Sequence, residues 1–437
     1  MHQKISLLIS LCSLCSPAFA QTGTEDFFSV SPQVIDEPQW NTVVRTALDR
    51  FIPELDAAYY NTGIQVYDLT ADSVLWAYHP NKVMRPASCQ KLLTSIAALD
   101  LLGTDHKVST RAYYTGRIAT LPATATGIPR RILRGDLYVH GTFDPTYTYS
   151  DLLTLATEVK ALGIDSIAGF IYADTSFKDT LQLGEGWCWD DEPSVFIPYL
   201  CPLMFERGKL APTSNKYPKD IFFNPALHFV RTLANELAAS HIPVQGYAIR
   251  RKVPAQATLF YVFDHPITEL LPRTLKNSDN LYAEALFYNI AHFNTGPNAT
   301  ATDGARLIYN VVRKAGGNST YCEIHDGCGL SPYDFVSPAC LVSMLRYAYL
   351  RADIFGYIHA ALPISGKDGT LSSRMKTGPA YLNVHAKTGT VTGVSSLSGY
   401  LTASNGHLLA FSIINNGLLK SATAQNLQDR ICQELAR

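Results

Sequence analysis

In residues 85–103, RPASCQKLLTSIAALDLLG, a proline stands just before a run that is apolar on nearly every side beyond Lys91. Such a run predicts a helix buried all round, closed by Gly103, with Ser88 in its first turn. A lysine three positions after a serine on a helix shares its face. A serine hydroxyl is a poor nucleophile until a base takes its proton, so Ser88 and Lys91 form a candidate nucleophile and base. Leu92, Leu93, Ile96 and Ala97 would strip water from the amine, which favours its neutral, proton-accepting form. The helix N-terminus also aims free backbone N–H groups at a developing oxyanion. Alone, Ser-x-x-Lys is weak, because the pattern arises readily by chance on solvated helices.

Two further motifs follow in order: Ser278-Asp279-Asn280 and Lys387-Thr388-Gly389. This ordered trio marks penicillin-binding proteins and class A β-lactamases. Ser278-Asp279-Asn280 precedes LYAEALFYNI, a predicted helix, so helix capping is its ordinary reading. In a catalytic reading Ser278 relays protons between Lys91 and the leaving amine, while Asn280 orients Lys91 or the substrate. On a strand, Lys387 and Thr388 would face a terminal carboxylate. Gly389 allows close approach, and the Thr390 N–H completes an oxyanion hole with that of Ser88. Ser373-Arg374-Met375-Lys376 and Lys376-Thr377-Gly378 repeat two of the patterns. They run into Pro379, which suits neither a buried helix nor a central strand, so they are expected to be loop residues.

Around these motifs, WNTVVRTALDRFIPELDA at 40–57 has helical spacing interrupted by Pro53. Strands are predicted at 63–69 and 73–79. Residues 104–262 change character, with strands at 131–140 and 166–173, helices at 150–162 and 225–241, and Pro/Gly-rich connections. This reads as an inserted α/β domain between 21–103 and 263–437. A helical region at 266–361, strands at 383–388, 396–402 and 407–414, and a closing helix at 418–436 complete the chain.

MHQKISLLISLCSLCSPAFAQ, with Lys4 before a short apolar run and Ala18-Phe19-Ala20 after it, reads as a signal peptide over 1–20. An exported, extracytoplasmic protein follows, periplasmic if the cell has that compartment, without an integral membrane segment once the signal is removed. A net charge of −1 argues against a nucleic-acid partner. Nine cysteines include Cys12 and Cys15 of the signal. Cys188 with Cys201, and two of Cys322, Cys328 and Cys340, are candidate pairs. No pattern such as His-Glu-x-x-His suggests a metal, and neither metal nor cofactor is expected.

With these residues in place, the chain resembles the S13 family, the class C low-molecular-mass penicillin-binding proteins. The likeness runs from about residue 60 to the C-terminus through RPASCQKLLT, GDLYVHGTFDPTY (135–147), GWCWDD (186–191), DGCGLSPYD (326–334) and LPISGKDGTLSSRM (362–375). The resemblance implies an α/β (α+β) fold: a serine β-lactamase/transpeptidase-like domain with an antiparallel sheet and a helical lobe, interrupted by the insertion. It implies a serine D-Ala-D-Ala carboxypeptidase, with endopeptidase activity in some members. Peptidoglycan stem peptides would be substrates, and β-lactams inhibitors. Asp144 matches an acidic position tied to recognition of the third stem residue. Cys89, Cys328 and Pro332 depart from the usual Asn, Ser and, in some relatives, Arg. Two rival readings share the scaffold: a β-lactamase or esterase, and a non-catalytic peptidoglycan-binding protein.

Overall fold

The computed structural model describes residues 37–122, 127, 129–188, 191, 199–208 and 224–437. The expected signal segment, and Trp189 and Asp190 of GWCWDD, lie outside them. Strands β1 (Asn61–Asp68) and β2 (Ser73–Tyr78) come first. The middle of the chain supplies β3 (Lys107–Tyr114), β4 (Arg117–Leu121), β5 (Arg130–Arg134), β6 (Leu137–Gly141), β7 (Ser166–Asp174), β8 (Val244–Ile249) and β9 (Thr258–Pro266). A short pair, β10 (Cys322–Glu323) and β11 (Phe335–Val336), precedes β12 (His385–Val391), β13 (Val394–Thr402) and β14 (Leu408–Asn416).

Five strands from the two ends of the sequence form one antiparallel sheet, in the order β12-β13-β14-β1-β2. Side chains alternate across a strand, and β14 shows the consequence. Leu409, Phe411 and Ile413 join a core with Trp40, Val44, Leu48, Leu427 and Ile431 on one face. Ala410 and Ile414 join the other core, with Leu92, Leu93 and Ile96. Terminal helices Glu37–Asp49 and Ser421–Leu435 therefore cover one side, and the helix Gln90–Leu102 lies on the opposite side. Pro53 stands in the first turn of a separate helix, Ile52–Ala57, where its missing N–H costs nothing.

The predicted all-round burial of 85–103 is observed: Gln90 through Leu99 are all buried, and Gly103 (φ 80°) ends the helix. Helices Asn280–Thr295, Ala301–Lys314 and Pro338–Tyr349 complete the lobe around it.

A second sheet, β4-β5-β7-β6-β3-β9 with β8 on β7, is built from residues 107–266. The single strand expected at 131–140 is two, β5 and β6, lying in one line along β7, with Ile132 opposite Ser166 and Leu137 opposite Ile171. The break falls at Gly135–Asp136. There the Asp136 carboxylate accepts the Phe170 N–H at 2.9 Å in place of a ladder bond, and a Cβ on Gly135 would lie 1.8 Å from the Thr115 oxygen.

Candidate active site

Ser88 lies in a short 3-10 turn, Ala87–Cys89, that leads directly into the buried helix. Ala87 holds φ 46°, a left-handed conformation rare for a residue with a Cβ. Two close approaches hold this turn. A Cβ on Gly329 would lie 1.9 Å from the Ala87 oxygen; one on Gly389 would lie 2.6 Å from the Pro86 oxygen and 3.0 Å from the Ser88 nitrogen. The 326–334 segment and the β12 edge thus press on Ser88 from two directions, and only glycine fits at either contact.

The Lys91 side chain is fully buried, and its Nζ donates to three acceptors: Ser88 Oγ at 2.9 Å, Asn280 Oδ1 at 2.8 Å and the Cys328 carbonyl at 2.8 Å. Three sequence-distant segments converge on one amine. Asn280 is the first residue of its helix, and Asp279 is the N-cap, accepting from the Leu281 N–H at 3.1 Å. The motif therefore caps a helix and holds the lysine at once. Asp279 is further clasped by Arg207 Nη2 at 3.1 Å and Arg273 Nε at 3.0 Å. Burial alone would raise its pKa, but these two guanidinium groups prevail and hold it below the usual carboxylate value. Arg207 belongs to the middle segment of the chain, so this ion pair ties that segment to the motif. Ser278 takes φ 60° immediately before the cap.

On edge strand β12, Lys387 and Gly389 face inward, Thr388 is half-buried and Thr390 is exposed. Lys387 Nζ donates to the Thr388 carbonyl at 2.7 Å, and Thr388 Oγ1 donates to Thr370 Oγ1 at 2.7 Å. Burial, with the charge of Lys91 adding to it, lowers the Lys387 pKa to about 7. Ser373 and Lys376 of the decoy motifs lie in an exposed turn, as expected.

Asp144 is 2% exposed. Its Oδ1 accepts from the Thr146 N–H at 2.8 Å and hydroxyl at 2.7 Å and lies 3.5 Å from His265 Nε2, whereas Oδ2 is buried without a hydrogen-bond partner. Burial raises its pKa despite His265.

The motif reading missed what stands behind Lys91. Glu284 is fully buried, and its Oε1 accepts the Gly327 N–H at 2.8 Å. Burial and then the charge of Asp326 push its pKa up to about 8. Asp326 Oδ1 accepts the Cys328 N–H at 2.9 Å and also that of Gly329. Its Oδ2 accepts from Leu330 (3.1 Å), Ser331 (2.8 Å) and the Trp187 indole (2.9 Å). Glu284, Asp326 and Cys328 bring ligand-type atoms within 4.8 Å of one another. With both Asp326 oxygens committed to backbone donors, the group fits a loop-organising cluster better than a metal centre. Glu284 could have been found in the sequence, since four residues after Asn280 puts it on the same helix face.

An antiparallel sheet with a buried helix that starts at a serine–lysine pair defines the class of serine acyl-transfer enzymes to which penicillin-binding proteins and serine β-lactamases both belong. The sequence matches the D-Ala-D-Ala carboxypeptidase 3 (S13) family over residues 44–221 and 207–437, and the chain belongs to that family. It is 27% identical over 471 residues to a D-alanyl-D-alanine carboxypeptidase of Actinomadura sp., covering 90% of this chain and 85% of that protein. It is 25% identical over 423 residues to D-alanyl-D-alanine carboxypeptidase DacB of Haemophilus influenzae, covering 82% and 85%. The crystal structure of penicillin binding protein 4 from Haemophilus influenzae superposes with a TM-score of 0.74 at 24% identity, covering 89% of this chain and 97% of that one. This confirms the expected fold class. Among the described residues, no helix is long and apolar enough to cross a membrane.

Proposed function

We propose that this chain is a serine-type D-alanyl-D-alanine carboxypeptidase acting on peptidoglycan stem peptides through a Ser88 acyl-enzyme. The observation that carries the reading is the Lys91 amine, 2.9 Å from Ser88 Oγ and fixed by Asn280 and the Cys328 carbonyl. With that amine neutral, the contact runs in the other direction, and the Ser88 O–H donates to the nitrogen lone pair. Ser88 Oγ then attacks the carbonyl carbon between the last two D-alanines. The oxyanion is received by the N–H groups of Ser88 and Thr390. Ser278 passes the proton from Lys91 to the leaving D-alanine amine, and water later hydrolyses the ester.

Lys387 and Thr388 take the terminal carboxylate, and Gly389 keeps the β12 edge close to Ser88. Asp144 is assigned to the third stem residue by its match to the family's acidic position, and its Oδ2 has no hydrogen-bond partner. The family relation supports the substrate class, and a β-lactam complex of the Haemophilus influenzae protein supports inhibition by such drugs. Residues 1–20 read as a signal, which places the enzyme outside the cytoplasm with its substrate; the middle segment, 104–262, acts as the inserted domain.

Stem peptides ending in D-alanyl-D-alanine should lose one D-alanine each on incubation with the protein, and Ser88→Ala should release none. Turnover of benzylpenicillin without release of D-alanine would contradict the assignment in favour of a β-lactamase.

A further inference from the structure

The free thiols of Cys322 and Cys340 lie with their sulfurs 2.7 Å apart, both buried. Cys89 donates to the Lys387 carbonyl, Cys201 to the Leu203 carbonyl, and Cys328 faces Asp326. Cys322 opens β10, and Cys340 lies in the first turn of the helix Pro338–Tyr349, where its N–H is capped by Ser337 Oγ at 3.2 Å. We propose that these two residues form a disulfide in the exported protein, and that it staples the base of the loop that positions Lys91.

Topology gives the cross-link that role. Cys322 pairs with Val336 across β10 and β11, and the intervening segment contains Asp326, Gly327 and Cys328. The Cys328 carbonyl holds Lys91, Gly327 is held by Glu284, and Gly329 packs on Ala87. Val336 also exchanges both backbone hydrogen bonds with Met84, at 3.1 and 2.8 Å, on the segment leading to Ser88. One bond across 18 positions would therefore close the loop at the point where it meets the segment leading to Ser88.

Cys340, itself buried, is among the residues that line a cleft of about 350 Å³, with Ser337, Tyr321, Ser343 and Gly317. The reaction needs a disulfide as oxidant, from a small molecule or an exported oxidoreductase. The Cys340 thiolate attacks one sulfur of that disulfide and expels the first thiol. The Cys322 thiolate then displaces the second from the mixed disulfide. Two protein thiols are oxidised, the oxidant's disulfide is reduced to two thiols, and the two cysteine protons end on those leaving groups.

The test uses the full purified chain, reduced and then treated with oxidised glutathione, alkylated, digested and read by mass spectrometry. The expected result is a linked pair of peptides carrying Cys322 and Cys340, two hydrogens lighter than their sum, and lost in Cys340→Ser. Recovery of both cysteines alkylated after oxidation would overturn the pairing, and this readout is independent of catalysis. Reduction of the linked protein should lower its Tm by at least about 3 °C and slow benzylpenicillin labelling, while Cys322→Ser/Cys340→Ser should ignore the reductant. A link whose reduction changes neither quantity would overturn its role in holding the loop.

Discussion

Lys387 is completely buried beside a second lysine, and the two facts together, burial first and the charge of Lys91 second, lower its pKa to about 7. In an unfolded chain it would titrate near 10.5. The folded state therefore binds fewer protons than the unfolded state between about pH 7 and 10.5. Stability from this group is fully present above 10.5, is lost as pH falls through that window, and is lowest below 7.

Lys387→Met keeps the length of the side chain and removes the buried charge. At pH 6 the variant should be more stable than the parent, by an amount on the order of 5 kcal/mol at most, with the gain shrinking towards pH 10. Acylation by benzylpenicillin should fall by about 100-fold or more, because the carboxylate loses its cation. Thermal melts across pH, paired with labelling rates, check both halves. A variant that is less stable at pH 6 would contradict the burial argument.

Replacing Lys91 by arginine keeps a positive charge but supplies no removable proton at any accessible pH. A general base contributes about 100-fold to 10,000-fold, so Lys91→Arg should acylate at least about 100-fold more slowly while remaining folded. Stopped-flow labelling with a fluorescent penicillin measures the rate. Near-normal acylation would assign the base to another group.

Glu284 differs from an ordinary glutamate in the opposite sense to Lys387. With its pKa raised from 4.5 to about 8, the folded state binds more protons than the unfolded one between those values. Its contribution to stability is present below 4.5 and is lost as pH rises to about 8. Glu284→Gln can still accept the Gly327 N–H and never ionises, so its melts should lack that decline and it should acylate within several-fold of the parent. Glu284→Ala leaves the Gly327 N–H buried and unpaired, at a cost of about 1–3 kcal/mol, and should slow acylation by loosening the Cys328 carbonyl. Equal pH profiles for the parent and the glutamine variant would contradict the assignment.

Gly389→Ala would place a Cβ 2.2 Å from Ser396 Oγ and 2.6 Å from the Pro86 oxygen. The serine can rotate, but the backbone carbonyl cannot, so β12 must move away from Ser88. Misplacement of about 1 Å at a reacting group costs about 100-fold, and labelling should slow towards that extent, with a fall in Tm. Unchanged labelling would show that the β12 edge does not set the geometry at Ser88.

The nucleophile helix was legible because its burial is written locally: every residue from Gln90 to Leu99 is inside, and the apolar run said so. The closing helix and the strands of the five-stranded sheet were legible for the same reason of period. Cys328 was not legible as a holder of Lys91, since its backbone carbonyl makes the contact and no side-chain pattern encodes a carbonyl direction. Strands β3, β4, β8 and β9 were missed because they carry no clear apolar stripe: β4 and β8 contain no fully buried residue, and the buried run of β3 includes the polar Ser109 and Thr110. The Asp279 contact with Arg207 joins positions 72 residues apart, a distance over which sequence spacing carries no signal.

The central claim is that Ser88 is the acylated nucleophile, and intact-protein mass after incubation with benzylpenicillin tests it most directly. The account predicts a single stable adduct, located by digestion to the peptide containing Ser88, and none in a folded Ser88→Ala variant. Equal labelling of that variant, or an adduct on another residue, would contradict it.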